Sequence, residues 1–365
     1  MSPMTAQTIS RIFRTILGKA ALLIVFMLAL SLIVFVLARL APHDPLTAYY
    51  GDAVERMNET QRIAAMNRLG LDKPILVQYV KWFENALQGD FGISYQYKQN
   101  ALAVVGKLWG NTLLLGGLSY ILTFLLATML SMFCAVHKGR FADRAICRIG
   151  TATSVIPSFF AALIFILIFA VNLHWLPTSG AYSLRGGGLA DRAVHLILPV
   201  AVMVLSHLWY YAYMIRNRII EELSRDYVLL LKVKRIGMQR ILWRHCLRNT
   251  IPMLVTIMAV SVPHIIAGTY IVEVVFSYPG IGTLVFESAK IRDYNMLSLL
   301  TLITGAAILV SNMLAQSLAE LLDPRMRQDV EFLGSVTRHD SGLIEPETRR
   351  GARVIKREAD DDADA

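Results

Sequence analysis

Six long runs of the chain carry no charged residue: 20–38, 108–137, 149–184, 193–215, 249–272 and 294–319. In the third, the apolar part ends near Val171. The hydrocarbon core of a bilayer is about 30 Å thick, and about 20 apolar helical residues cross it. Lipid offers no partner to an open backbone N–H or C=O, so each run is predicted to be a helix. The pattern therefore predicts an all-α, polytopic membrane protein with six transmembrane helices. The first run is too long for a signal-peptide core, and Arg39, Leu40, Ala41 and Pro42 make a poor cleavage site after it.

Two connecting segments have patterns of their own. In 41–107, Pro42, Asp44 and Pro45 end the first run. A helix is predicted over 53–69, with acids early and Arg62 and Arg68 late, as the helix dipole favours. Gly70 suits its stop. A second helix follows, amphipathic because Ile75, Tyr79, Trp82, Phe83 and Leu87 recur every three or four residues, and Gly89, Asp90 and Gly92 close it. In 216–248, Ile219, Leu223, Tyr227 and Leu230 form one apolar stripe, and Gly237 breaks the run. A further helix over 238–247 carries Ile241 and Leu242 on one side and Arg240, Arg244 and Arg248 on others. Spacing alone leaves two readings of this segment: a ridge that presses into a partner's groove, or a surface helix held by acidic lipid.

Charge orients the spans. Arg11, Arg14 and Lys19 precede the first run without an acid; Lys138, Arg140, Arg144 and Arg148 face one Asp143 in 137–148; 216–248 holds nine Lys/Arg against three acids. The opposite segment 41–107 is balanced at seven and seven. The basic loops are therefore expected in the cytoplasm, with both termini there. This asymmetry accounts for much of the formal charge of +9 and argues against a nucleic-acid footprint, because the cations are divided among short loops that flank spans. A charged fraction of 17% and a mean hydropathy of +0.50 agree with a membrane chain. Cys134, Cys147 and Cys246 all fall toward the basic side, with no CxxC pair and no disulfide framework implied. The sequence lacks GxxxxGK[ST], HExxH, GxSxG and paired Cys/His metal spacing. No catalytic, cofactor or metal residue is expected, and the chain is not read as an enzyme.

Three stretches carry a resemblance. The first is 69–94, with Leu69, Gly70, Leu71, Asp72, Pro74, Gln78, Tyr79 and Trp82, then Gly89, Asp90, Phe91, Gly92 and Ser94. The second has Asp226, Tyr227, Val228 and Lys234, then Arg244, His245, Leu247, Arg248 and Asn249. The third, 268–327, has Gly268, Glu273, Val275, Phe276, Ser277, Pro279, Gly280 and Gly282, then Arg292, Asp293, Tyr294, Asn312, Asp323, Pro324, Arg325 and Arg327. Together they resemble the first ("B"-type) permease of dipeptide/oligopeptide/nickel ABC importers, over roughly 8–327.

The resemblance implies a type I ABC importer permease fold in a bacterial inner membrane. It implies an external scoop within 41–107 (Asp72, Gln78, Tyr79, Trp82, Asp90 and Phe91) and an ATPase-coupling loop at 216–248 (Asp226, Tyr227, Lys234, Arg235, Gly237 and Arg244). The implied partners are a homologous second permease, two ATP-binding-cassette subunits that hold the ATP and magnesium, and an external solute-binding protein, all around a chain embedded in lipid. Cargo would be a peptide, a nickel complex or a metallophore. A secondary transporter or channel without ATPases is the alternative, but it would more often show inverted repeats and several embedded acids, which are not visible. The domain reading is a cytoplasmic segment 1–19, a permease domain 20–322 and a disordered tail 323–365 that ends in an acidic cluster.

Three positions depart from the family pattern. Arg235 stands where a turn glycine is usual, Gln316 where an Asp is common and Ala319 where a Tyr is common. A positive φ is uncommon for Arg, so the turn is expected to move to Gly237. Ionisable groups in spans are functional candidates. His207 and His264 either line the path or bond a neighbouring helix, and a metal held by that pair is the least economical reading. Glu273 either faces a gate or marks where water begins. Phe276, Pro279 and Asn312 complete the candidates for the gate and path.

Overall fold

The computed structural model describes residues 6–40, 46, 50–69, 72–94, 96–183 and 186–322. Expectations resting on Pro42, Asp44, Pro45, Gly70, Leu71 and 323–365 lie outside those residues, as do the side chains of Gln316 and Ala319. Among the described residues there is no strand, only an isolated bridge between Ile93 and Asn100. The helices are α1 (Ala6–Leu40), α2 (Glu59–Leu69), α3 (Ile75–Leu87), α4 (Ala101–Val136), α5 (Phe141–Ser154), α6 (Ser158–Asn172), α7 (Leu189–Leu223), α8 (Asp226–Val233), α9 (Met238–Val275), α10 (Ile281–Ile291) and α11 (Tyr294–Leu322).

Five of the described helices are long and apolar enough to cross a membrane: the Leu17–Leu40 part of α1, then α4, α7, α9 and the Tyr294–Ala315 part of α11. The remaining run, the third, departs from a single straight helix. It is shared by α5 and α6, which meet at 101°. Pro157 supplies no backbone N–H and disfavours helical geometry in the residue before it, so the third run is divided between two helices bent at a break; counted as one broken span, they make the sixth. The second of them ends in seven π-helical residues, Ile166–Asn172.

The helix predicted over 53–69 is also two pieces. A 3₁₀ turn, Gly51–Arg56, precedes α2. Asn58 and Gln61 exchange side chain and backbone bonds (3.1 and 2.8 Å), a reciprocal cap that starts α2 afresh. The helix predicted over 238–247 does not end at Leu247; it runs through a π turn, Leu242–Cys246, into the fifth span. Likewise Ile219 and Leu223 belong to the end of α7. The predicted stripe from Ile219 to Leu230 is therefore broken at Ser224.

The core sits where α4, α7 and α9 cross. Phe124 and Tyr211 pack with tilted rings at 4.7 Å, and Ser131 Oγ donates to Ala212 O across the same contact at 2.6 Å. Small residues let the backbones approach, as expected where lipid gives no hydrophobic drive to helix association. A Cβ on Gly268 would lie 2.9 Å from the His207 ring, and one on Gly150 would lie 2.6 Å from Trp209.

Candidate functional site: an outer turn and an inner elbow

The outer turn links α9 to α10. Phe276 ends α9, Ser277 takes φ +47°, and Gly280 precedes α10. Glu273 is fully buried beneath the turn, and its carboxylate accepts Gly282 N–H at 2.6 Å, close to the positive end of α10. Glu273 thus neither marks the water boundary nor lies open to a path within this chain; it braces the turn from inside. Both glycines are dictated by this packing. A Cβ on Gly280 would sit 2.3 Å from the Glu273 carboxyl carbon, and one on Gly282 would sit 2.4 Å from Tyr270 Cα.

Neighbouring spans hold the turn from the other side. On α4, Asn111 Nδ2 donates to Pro279 O at 2.7 Å, and Thr112 Oγ1 accepts Ile281 N–H at 2.8 Å. On α7, Arg192 donates to Asn111 Oδ1 at 2.8 Å. Asn111, Thr112 and Arg192 escaped the sequence reading. Their one signal is that polar residues interrupt or border apolar runs, which many uninvolved residues also do.

A second lock joins the first and third motif stretches. Ser94 Oγ donates to Asp293 Oδ2 at 2.5 Å, and the same buried carboxylate accepts Met296 N–H through Oδ1 at 3.1 Å. Asn295 donates to Ile93 O at 3.1 Å and lies where a Cβ on Gly92 would clash, at 2.8 Å. Gly92 has φ +88°, so glycine is needed there on both counts. Tyr97 O–H reaches Glu287 at 3.2 Å; burial first, and then that carboxylate, raise its phenol pKa.

Of the other scoop candidates, Asp72 and Asp90 are exposed, with Asp90 Oδ1 accepting Gly92 N–H at 3.0 Å. Gln78 donates to Lys73 O at 2.8 Å. Tyr79 and Trp82 pack on Phe35 of α1 at 5.6 and 5.5 Å, and Phe91 meets Trp82 edge-on at 6.4 Å. Ile75 and Leu87 are exposed and do not join that half-buried aromatic contact.

The remaining path candidates are scattered. His207 Nδ1 pairs with Met203 O at 2.8 Å, and the ring fills the space beside Gly268. His264 is exposed on α9, about 13 Å along the helix from Glu273. Asn312 is half-buried on α11, about five turns from its start. Among the described residues no cluster of three His, Cys, Asp or Glu is placed to hold a metal.

The inner elbow lies between α7 and α9. Its hub is Glu222, a buried acid that sequence reading passed over. Glu222 Oε2 accepts Tyr227 O–H at 2.9 Å and Asn249 Nδ2–H at 3.4 Å, while Arg218 and Arg225 pair with Oε1 at 3.4 and 3.7 Å. Burial, then Cys246, then Glu222 raise the Tyr227 phenol pKa, so it stays a donor at neutral pH. Val228, Ile241 and Cys246 form a small buried core under α8. Asp226, Lys234 and Arg244 remain exposed. Arg244 borders a hollow with Tyr227, His245, Arg248 and Asn249, which unites the two halves of the second motif stretch.

The turn of the elbow corrects the sequence expectation. Arg235 itself takes φ +54°, while Gly237 is extended at φ −61°, and a Cβ added there would find nothing within 4 Å. The left-handed residue stays where the family pattern has glycine. Arg235 N–H bonds Lys232 O at 2.9 Å and Ile236 N–H bonds Leu231 O at 3.1 Å, closing the end of α8 around it. A further tether reaches the preceding loop: Arg216 binds Asp143 through Nε and a terminal nitrogen at 2.8 and 2.6 Å.

Comparison with known proteins bears on both regions. The family model for the binding-protein-dependent transport system inner membrane component matches residues 127–328, and that family's N-terminal model matches 11–113. The chain belongs to this family. The oligopeptide transport system permease protein AppB of Bacillus subtilis is 32% identical to this permease over 85% of the chain and 98% of its own length. The metal-staphylopine import system permease protein CntB of Staphylococcus aureus is 30% identical over 87% of this permease and 99% of its own length. The di/tripeptide permease DppB of Pseudomonas aeruginosa is 28% identical over 85% and 97%. Membership, with several apolar helices, makes this permease a multi-pass inner-membrane transport component.

Proposed function

We propose that this chain is one of two homologous permease subunits of an ATP-driven importer for peptides or peptide-like metal chelates. Two partner ATPases bind and hydrolyse ATP, and one of them grips the elbow at 216–248. An external solute-binding protein delivers cargo to the opposite face, where 41–107 and the outer turn lie, and both termini are cytoplasmic. The transport step is alternating access: closure of the ATPases moves α8, and α7 and α9 carry that movement toward the outer turn.

One observation carries the reading most. The outward side of α8 bears Leu229, Leu230 and Val233, exposed by 65, 55 and 73%, while its inward side is bolted through Tyr227 and Glu222 to the ends of two spans. An apolar ridge on a basic, membrane-proximal elbow fits a groove in a soluble partner. Cargo follows from the relatives, which are named for oligopeptide, di/tripeptide and metal-staphylopine transport. Purification of the tagged chain from its native membrane tests the reading. ATP-binding-cassette subunits and a second permease should co-purify, and mass spectrometry of ligand released from the co-expressed binding protein should find a peptide or chelate. A chain that purifies alone and transports on an ion gradient would refute it.

A further inference from the structure

Helix α3 has an apolar face wider than the surface that covers it. Tyr79, Trp82 and Phe83 turn toward α1, and Tyr79 O–H shares a 2.7 Å hydrogen bond with Ser31 Oγ. Leu76, Val80 and Leu87 continue the same face at helical spacing, yet they are 69, 54 and 74% exposed. The depth of this helix follows from its partner. Ser31 and Phe35 lie inside the membrane span Leu17–Leu40, and Ser31 is about 13 Å short of the span's end by helical rise. A helix bonded to Ser31 does not stand clear of the bilayer. Its uncovered leucines and valine continue the surface of α1 on which Ile33, Leu37 and Leu40 are also exposed. The polar edge lies at the end of the span: Arg39 and Lys81 line one cleft with Trp82, Asn85, Asn295 and a single acid, Asp90. Among the described residues neither cation has an ion-pair partner.

We propose that α3 is an interfacial helix sunk into the leaflet at the C-terminal end of the first span, with Leu76, Val80 and Leu87 among acyl chains and Arg39 and Lys81 holding a phospholipid phosphate. Amphipathic helices with a cationic edge and aromatic residues at the boundary bind membranes in this way. The inference needs only the membrane span. Which leaflet is meant rests on the orientation proposed above, and the test below does not use it. The part of 41–107 that carries Gln78, Tyr79 and Trp82 thereby becomes a membrane anchor for the segment.

The test uses the complex in lipid nanodiscs, with spin labels at Leu76→Cys, Val80→Cys and, as a control, Lys73→Cys, each in a Cys147→Ala background. The ratio of oxygen to nickel-chelate collision should be about threefold higher at 76 and 80 than at 73, as for side chains within a membrane interface. Equal ratios at all three sites, or labels at 76 and 80 shielded from both reagents by another protein, would overturn the proposal. Quenching of fluorescence by shallow brominated lipid, taken as the difference from Trp82→Phe, reads the same depth without cysteines, and no difference counts against it. Arg39→Gln with Lys81→Gln should lower the phospholipid retained on purification severalfold; unchanged retention would remove the phosphate contact.

Discussion

The outer turn and the inner elbow are both short excursions between long helices, and they are built on opposite plans. At the outer turn the side chains leave no slack: a carboxylate is enclosed, two glycines permit contacts that any Cβ would prevent, and two side chains of α4 bond the backbone. At the elbow one acid anchors the inside, while the outside presents uncovered leucine and valine. The first plan holds a shape. The second leaves a surface for something else to hold. A transporter driven from one face needs both, because movement applied at the elbow reaches the outer turn only through helices that do not deform at the far end.

The comparison is broken most severely by Gly282→Ala. The added Cβ meets Tyr270 backbone, which cannot swing aside, so a loss of about 3 kcal/mol, at the upper end of overpacking costs, is expected. Thermal unfolding of the purified complex checks it; an unchanged midpoint would mean that the outer turn has slack. Next comes Glu222→Ala, which leaves Tyr227, Arg218 and Arg225 without their shared acceptor and should cost about 3 kcal/mol where the acid is buried. Limited proteolysis should then cut near α8 while the outer turn stays protected.

Ser94→Ala tests the lock between distant segments. It strips one bond from a buried carboxylate, worth about 1–3 kcal/mol, and hydrogen exchange should rise in both 92–97 and 293–296. The smallest effect sharpens the elbow. Arg235→Gly relieves a left-handed arginine and Gly237→Ala enters open space, so both should stay within about 1 kcal/mol of the parent, with Arg235→Gly the more stable. A Gly237→Ala defect larger than that of Arg235→Gly would restore the turn to Gly237.

The spans were legible because lipid imposes one requirement on every helix that crosses it, and charge-free length reports that requirement directly. Pro157 marks a place where the third run can kink, but composition does not report direction, so the 101° between its two helices was not legible. Glu273 is left open between a gate and the edge of water for a related reason. An acid at the end of an apolar run looks like the edge of water, and only the fold brings Gly280 and Gly282 around it. Arg235 shows the limit of a rare-φ argument: the bonds made by its own N–H and by Ile236 N–H fix the local geometry more firmly than residue preference predicts. The Ser94–Asp293 bond spans 199 residues of sequence, and no local pattern carries such a pairing.

The central claim is that the elbow is where ATP-driven force enters. It is tested most directly by uptake of the cognate peptide or chelate into proteoliposomes that hold the whole complex and its binding protein. Leu229, Leu230 and Val233 changed together to Ser should leave the unfolding midpoint in place, since exposed positions contribute within about 0.5 kcal/mol each. ATP-dependent uptake should fall at least tenfold, as the ATPases lose their grip, by about 1.4 kcal/mol or more. Full uptake by the triple variant, or uptake that proceeds without ATP, would contradict the account.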